Sequence, residues 1–388
     1  MTPTAHKRIS LLDTTLRDGE QAPGNAMSPR QKLELALGIE AVGVDVIETG
    51  FPSSSEFDFE ATRMIAKAVT KARIATLNRT LRRDIDPAIE AGGRERHHLQ
   101  ILATGSEVHL RHKRGISRDA AEREAIDAVA YAKSQGVAHV TIALEDASRG
   151  SDELLKSLSC RAIEAGADTI VVADTTGCMT PGEFGALIGR VRSWVGSDIV
   201  LSTHCHDDMG LSLANALAGI QAGADEVQAT IAGIGERCGN TPLEEVIAVL
   251  YYKGEEYGCI TTAQPQSLDK VFRRLCAAIG IAPCRNKAIF GANSFATLAG
   301  IHQAGMLRAP ITYEYVEPEV FGRKRQILVG RHSGHAIVRY AFESLGLPVD
   351  ETLVRRIYAD HIANATDGHW TDLDGLKALI NEMVRVAA

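Results

Sequence analysis

His204 and His206 are the residues whose spacing points most directly to chemistry. They follow an apolar run that is predicted to be a strand, and residues i and i+2 of a strand face the same side. Both imidazoles can therefore converge on one metal ion, whereas Cys205 between them should point away. The alternative is a pair of hydrogen-bonded histidines at a strand end, and the spacing alone leaves it open.

Two further residues can supply oxygen ligands to such a site. Asp18 follows the first predicted strand, and Asn240 ends the loop GIGERCGN at 233–240, after the eighth strand. In a closed barrel the first, seventh and eighth strands adjoin, so these side chains can meet the two histidines. Two imidazoles and two oxygens with open positions suit Zn²⁺, Mn²⁺ or Mg²⁺. Asp18 could equally be a turn aspartate.

Acidic or imidazole side chains end five of the eight predicted strands. The sequences at these ends are DTTLRDGEQ (13–21), ETG (48–50), ED (145–146), DTT (174–176) and HCHDD (204–208). A single residue of this kind could be a cap, but five are hard to assign to capping alone. In a (β/α)₈ barrel, chemistry is built at these carboxyl ends.

A glycine-marked repeat indicates the elements that position these residues. Gly136, Gly166, Gly196 and Gly223 each end a helical pattern and precede an apolar run, at intervals of 30, 30 and 27 residues. Glycine readily adopts the left-handed conformation that ends a helix. With the earlier runs, the pattern predicts eight strands near 8–13, 44–49, 72–77, 99–104, 138–144, 169–174, 199–204 and 225–230.

Eight βα units in about 250 residues predict an α/β fold, a (β/α)₈ TIM barrel. We assign residues 1–255 to this catalytic barrel and residues 256–388 to a mainly helical C-terminal arm and lid-like subdomain. An open doubly wound sheet is the alternative.

Composition excludes several classes of protein. The 388 residues carry a net charge of -7, which argues against nucleic acid or an anionic membrane as the main partner. No apolar run approaches the roughly 18 residues of a membrane helix, and the start has no signal-peptide core. Seven scattered cysteines without a CxxC pair fit reduced thiols, so we expect a cytoplasmic protein.

The motifs together resemble the 2-isopropylmalate synthase and homocitrate synthase family, whose members are metal-dependent TIM barrels that condense acetyl-CoA with 2-oxoacids. The resemblance rests on DTTLRDGEQ, HCHDD, GIGERCGN and GIHQAGML (300–307). ETGFP (48–52), EDASR (145–149), ADTTG (173–177) and RHSGHA (331–336) extend it over almost the whole chain. ETGFP and the nearby FDFEA look more like isopropylmalate synthases than homocitrate synthases.

The resemblance implies a Claisen-type condensation that gives a 2-substituted malate and CoA. Asp18, His204, His206 and Asn240 would hold the metal, Arg17 would face the developing oxyanion, and Glu145 would be the base. His302 and Tyr313 would complete a neighbouring subunit's site in a homodimer. Substrate-binding roles are implied for Gln21, Glu48, Arg79, Gln100, Val171, Thr176 and Glu236.

Departures from the family pattern concern the identity of the 2-oxoacid. Val171 stands where isopropylmalate synthases usually have Asn, and Gln100 stands where they have a substrate-side His. Thr297 and Ala304 also replace a usual His and Asp. Homocitrate, citramalate, benzylmalate and phosphonomethylmalate synthases therefore remain alternatives, followed by a hydroxymethylglutaryl-CoA-lyase-like enzyme and a non-catalytic metal-binding scaffold.

The resemblance also bears on regulation. Many isopropylmalate synthases carry a further C-terminal domain that senses leucine, and the sequence ends too soon to include one. We therefore expect activity that micromolar leucine does not inhibit.

Overall fold

The computed structural model describes residues 6–364 and 370–387. The chain divides into two compact units, Met1–Ala282 and Pro283–Ala388. No helix in the described part of the chain is long and apolar enough to cross a membrane.

The first unit is a closed barrel of eight parallel strands, which confirms the predicted fold class. The strands are β1 (Ser10–Asp13), β2 (Val46–Glu48), β3 (Arg73–Asn78), β4 (His97–Thr104), β5 (His139–Glu145), β6 (Thr169–Asp174), β7 (Val200–Cys205) and β8 (Glu226–Ala229). Strand β8 pairs with both β7 and β1, so the first, seventh and eighth strands adjoin as predicted.

One long helix follows each strand. The helices are α1 (Pro29–Val42), α2 (Glu56–Ala68), α3 (Arg82–Gly92), α4 (Arg118–Ser134), α5 (Asp152–Glu164), α6 (Pro181–Val195), α7 (Ser212–Gln221) and α8 (Leu243–Tyr257). Helix α1 has the predicted ends: Ser28 forms a capping box with Gln31, and Gly43 is left-handed with φ 86°.

The main apolar core lies between the strands and the helices around them. Ile142 of β5 and Val172 of β6 belong to it, together with Phe184 and Leu187 of α6. Cys205 is buried in this same layer, so its side chain points away from the barrel interior as predicted. The packing fixes the strand phase that turns His204 and His206 inward.

Residues 256–282, which the sequence analysis assigned to the second domain, group with the barrel. Cys259–Ile260 pairs in parallel with Lys7–Arg8, and helix α9 (Leu268–Ile279) packs on α1. A Cβ at Gly38 would lie 3.0 Å from Val271, so this glycine allows the two helices to approach closely. The repeat pattern ends before these contacts, which the sequence did not reveal.

In its described residues, the second unit combines a small sheet with four α-helices. Its strands are β9 (Ala296–Thr297), β10 (Gln326–Gly330) and β11 (Trp370–Asp372), with β11 antiparallel to β10. Its helices are α10 (Gly300–Arg308), α11 (His335–Ser344), α12 (Glu351–Ile357) and α13 (Leu373–Ala387). The mainly helical pattern predicted for residues 256–388 is interrupted by β11, whose pairing partner lies 40 residues away in the sequence (Gly330 with Trp370).

Glu226 at the start of β8 should make the stability of the barrel depend on pH. Burial raises its pKa from 4.5 to about 7, although Ser10 and Ser202 donate hydrogen bonds to the carboxyl group. The unfolded chain loses this proton at lower pH than the folded chain, so the free energy of unfolding should fall as pH rises from about 4.5 to 7. The loss should approach about 3 kcal/mol.

Chemical denaturation at several pH values checks this expectation against Glu226→Gln, which keeps the shape of the side chain and removes the ionisation. The variant should lose less stability than the parent between pH 4.5 and 7.5. Asp13, whose pKa burial also raises to about 7, contributes equally to both proteins. Parallel pH profiles would contradict the assignment to Glu226.

Candidate metal centre and active site

A cavity of about 280 Å³ lies at the carboxyl ends of the barrel strands. It brings together predicted residues from six strand ends or the loops that follow them. Those that line it are Arg17, Asp18, Gln21, Gln100, Glu145, Val171, His204, His206 and Glu236. The polar strand ends therefore meet in one place, as the sequence analysis predicted.

Asp18, His204 and His206 form a buried cluster in this cavity. Their ligand-type atoms all lie within 4.8 Å of one another. His204 Nε2 is 3.5 Å from Asp18 Oδ2, and His206 Nε2 is 3.6 Å from Asp18 Oδ1. Two ring nitrogens and a carboxylate that face one point are the donor set of a catalytic divalent-metal site.

Unsatisfied polar atoms at the cluster also fit a metal ion. His206 Nδ1 and Asn240 Oδ1 are buried and have no hydrogen-bond partner among the described residues. Buried polar atoms usually have partners, so such orphans in one cluster call for an explanation. Two buried atoms that could each donate a lone pair, both on side chains next to the Asp18 carboxylate, fit a cation site in this cluster.

Arg17 keeps Asp18 in its charged form. Arg17 Nη1 donates to Asp18 Oδ2 at 2.5 Å. Burial alone would raise the pKa of Asp18, but the guanidinium, together with hydrogen bonds from His204 and His206, holds it well below its usual range. The cluster therefore presents a carboxylate, which is the form that binds a cation.

Backbone pairing with His206 places Asn240 at the edge of the cluster. An isolated antiparallel bridge joins it to His206, and its Nδ2 donates to Asp18 Oδ1 at 2.8 Å. A Cβ at Gly235 would lie 1.9 Å from Asn240 Nδ2, so the glycine makes room for the amide. A role for Asn240 as a metal ligand stays a prediction.

Glu145 ends β5 and faces the same cavity. Lys113 Nζ donates to both of its carboxylate oxygens, at 2.6 and 2.7 Å, and His109 Nδ1 lies 3.3 Å from Oε2. The side chain is 17% exposed, which leaves it accessible to a substrate. Lys113 and His109 come from the short helical segment after β4 (107–114) and were not among the predicted site residues.

Three predicted substrate-binding residues lie outside the lining of this cavity. Glu48 is fully buried behind Arg17, with its Oε2 2.8 Å from Arg17 Nε. Arg79 pairs with Asp84 and lines a neighbouring cavity. Thr176 does not line the cavity, whereas its neighbour Thr175 does.

Gln228 of β8 is a site residue that the sequence analysis missed. Its Oε1 lies 2.9 Å from His204 Nδ1, and the side chain is almost fully buried. The available signal was a polar residue two positions after Glu226 in a predicted strand, since i and i+2 face the same side.

An apolar wall bounds the part of the cavity away from the charged groups. Its side chains come from four neighbouring strands, β3 to β6, and are Leu77, Leu102, Ala143, Val171 and Ala173. Each points inward from its strand. The wall surrounds space next to the metal cluster and Glu145, where a substrate side chain would be placed.

Both guanidinium groups that line the cavity are already paired. Arg17 contacts Asp18 and Glu48. Arg237 donates to both oxygens of Asp208 at 2.8 and 2.9 Å and to the Thr175 carbonyl at 2.7 Å. Among the described residues that line the cavity, no lysine or arginine has an unpaired charge for an additional anionic group.

His302 and Tyr313 lie in the second unit. Their ring centroids are 4.2 Å apart with an interplanar angle of 31°. The Tyr313 ring contacts the α10 backbone at Gly305, where a Cβ would lie 2.8 Å from the ring. The structure therefore brings these two predicted residues together as a pair.

Fold and site together define a class of barrel enzymes, and comparison with known proteins identifies the same class. Residues 8–271 match the HMGL-like family, and residues 289–369 match the family described as homocitrate synthase post-HMGL domain-like. A hydroxymethylglutaryl-CoA lyase structure from Pseudomonas aeruginosa superposes with a TM-score of 0.62 at 22% identity, covering 72% of this chain and 95% of the lyase. At that identity the likeness concerns the fold alone.

Curated relatives narrow the class. A 2-isopropylmalate synthase from Syntrophus aciditrophicus is 41% identical over 358 residues, which are 91% of this chain and 69% of the relative. One from Heliobacterium modesticaldum is 39% identical and covers 98% of this chain and 75% of its own length. A protein described as an (R)-citramalate synthase from Methanopyrus kandleri is 38% identical, over 88% and 66% respectively. The chain belongs to the 2-isopropylmalate synthase and homocitrate synthase family.

Proposed function

We propose that the protein condenses acetyl-CoA with a 2-oxoacid that has a neutral aliphatic side chain, to give a 2-alkylmalate and free CoA. The observation that carries the proposal is the placement of Glu145 in one cavity with the Asp18–His204–His206 cluster. A base on one side and an electrophile-binding cluster on the other are what a carbon–carbon condensation requires. The family relatives support the same reaction class.

Asp18, His204, His206 and Asn240 are the residues that would hold a divalent ion, of which Zn²⁺, Mn²⁺ and Mg²⁺ suit the donors. When bound, such an ion supplies Lewis acidity toward the keto group of the 2-oxoacid. Arg17 adds a fixed positive charge next to Asp18, on the side where negative charge develops on the keto oxygen.

Glu145 is the proposed general base. Its carboxylate takes a proton from the methyl group of acetyl-CoA, and the resulting enolate carbon forms a bond to the keto carbon. The keto oxygen gains a proton, and water then hydrolyses the thioester to release CoA. Lys113 and His109 hold the carboxylate of Glu145 toward the cavity through the contacts described above.

The cavity wall supports a neutral side chain on the 2-oxoacid. The five apolar side chains provide contacts for an aliphatic group, and both lining guanidiniums are paired. A second carboxylate or a phosphonate would be buried without a partner, which costs several kcal/mol. These features favour isopropylmalate or citramalate formation over homocitrate or phosphonomethylmalate formation.

A panel of 2-oxoacids assayed with acetyl-CoA and divalent metal tests the proposal by release of free CoA. We expect branched and short aliphatic 2-oxoacids to give a kcat/KM at least about 100-fold above 2-oxoglutarate and phosphonopyruvate, a ratio equal to about 2.7 kcal/mol. CoA release with no member would refute the condensing activity. A preference for 2-oxoglutarate or phosphonopyruvate would instead refute the proposal that the apolar wall receives a neutral side chain.

Two further assignments remain proposals. We propose a homodimer in which His302 and Tyr313 serve the partner's barrel, as the family resemblance implies. We also propose a reducing, cytoplasmic location, which the seven free cysteines support.

A further inference from the structure

Six buried side chains form a closed ring at the base of the cavity. Each is at least nine-tenths buried, and in order they are Asp18, His204, Gln228, Gln100, Glu48 and Arg17. His204 Nδ1 lies 2.9 Å from Gln228 Oε1, Gln228 Nε2 donates to Gln100 Oε1 at 2.9 Å, and Gln100 Nε2 donates to Glu48 Oε1 at 3.1 Å. Arg17 closes the ring by contacting both Glu48 and Asp18.

The ring has a direction, because its two amides each place one donor and one acceptor in it. The carboxylate of Glu48, ion-paired with Arg17 and also accepting from Thr14, can only accept. Gln100 must therefore turn its NH₂ toward Glu48 and its carbonyl oxygen toward Gln228. Gln228 must then turn its NH₂ toward Gln100, which leaves its carbonyl oxygen facing His204.

We propose that Gln100 and Gln228 are positioning residues that fix the tautomer of His204. A carbonyl oxygen at Nδ1 requires a proton on Nδ1, so Nε2, which faces Asp18, is the nitrogen that remains for a metal ion to bind. That is the form in which His204 can bind a metal ion, and groups behind a ligand commonly fix it in this way. The inference rests on the proposed metal site.

The ring also gives Gln100 a role within the protein. Each polar atom of its side-chain amide makes one hydrogen bond in the ring, which fixes the orientation of the amide. Gln100 has no direct hydrogen bond to His204, and the shortest connection between them in the ring is through Gln228. An effect of Gln100 on metal binding would therefore have to pass along the ring.

The substitution Gln100→Met removes the group that orients Gln228 while keeping the length of the side chain. The Gln228 amide can then turn over, and it no longer specifies one tautomer. We expect affinity for Mn²⁺, measured by calorimetry on the metal-free full chain, to fall about 10-fold, and Gln228→Met to lower it by about 10- to 100-fold.

Rescue of Mn²⁺ affinity by a second substitution distinguishes an effect of the hydrogen-bonded ring from an effect of altered packing. The carboxylate introduced by Gln228→Glu accepts from His204 Nδ1 whichever way its neighbour is oriented. The double variant Gln100→Met/Gln228→Glu should therefore return to within about 3-fold of the parent affinity. Gln303→Met is the matched control, because it removes a buried glutamine in the second unit and should leave Mn²⁺ affinity unchanged.

Nitrogen-15 NMR of the histidine-labelled, metal-free parent tests the tautomer without any variant. His204 should show a protonated Nδ1, and in Gln100→Met part of the population should have an unprotonated Nδ1. An unprotonated Nδ1 in the parent would overturn the inference, as would parent-like Mn²⁺ affinity and parent-like shifts in Gln100→Met. Failure of the parent itself to bind Mn²⁺ or to release CoA would instead overturn the proposed function.

Discussion

Replacing Glu145 with Gln should lower kcat for CoA release by about 1,000-fold while leaving metal binding intact, because a positioned base contributes roughly 100- to 10,000-fold. The amide keeps the size of the side chain and can still meet His109, but it cannot take a proton from the acetyl methyl group. Glu145 is outside the Asp18–His204–His206 cluster, so Mn²⁺ affinity should stay close to that of the parent.

The matched control for this experiment is Glu226→Gln, the same change at the opposite end of the same barrel. Its kcat should remain near the parent value at a pH where both proteins are folded. Coupled detection of free thiol gives kcat, and calorimetry gives the metal affinity. Full activity in Glu145→Gln would show that Glu145 is not the general base.

Replacing His206 with Ala should lower Mn²⁺ affinity by at least about 100-fold, more than the loss of a group behind a ligand usually causes. The imidazole supplies one of the three clustered ligand atoms, and a methyl group offers no replacement. Condensation should fall in parallel at low metal concentration.

His139→Ala provides the control for the histidine change. His139 stacks on His98 with ring centroids 4.7 Å apart, at the start of β5 and far along the barrel from the cluster. Its removal should leave Mn²⁺ affinity unchanged. Equal metal affinity in the His206→Ala variant and the parent would show that the cluster is not the metal site, whatever the effect on turnover.

Local sequence pattern was sufficient to predict most of the fold. Apolar runs and the glycines that end helices gave all eight strands to within a few residues, because both signals depend only on near neighbours. Strand periodicity also predicted the outward direction of Cys205 and the shared direction of His204 and His206. Strand β11 was missed, since its stability comes from pairing with β10 rather than from its own three residues.

The site was predictable in its charged groups and less so in its neutral ones. Asp18, Glu145 and the two histidines stand out because ionisable residues at strand ends are otherwise costly. Gln228 has no such signal, and its partner Gln100 is 128 residues away. Of the adjacent residues Thr175 and Thr176, only Thr175 lines the cavity, and the sequence does not specify which of the two would do so.

The sequence by itself determined which side chains stand at the carboxyl ends of the strands, because alternation along a strand and helix-ending glycines are local properties. Only the tertiary structure decided which of these ends share one cavity, that both guanidiniums there are already paired, and that two glutamines form a ring with Glu48 and His204. The physical reason is that closing the barrel sets the register of eight strands at once. Hydrogen bonds across its interior join residues that no local pattern connects.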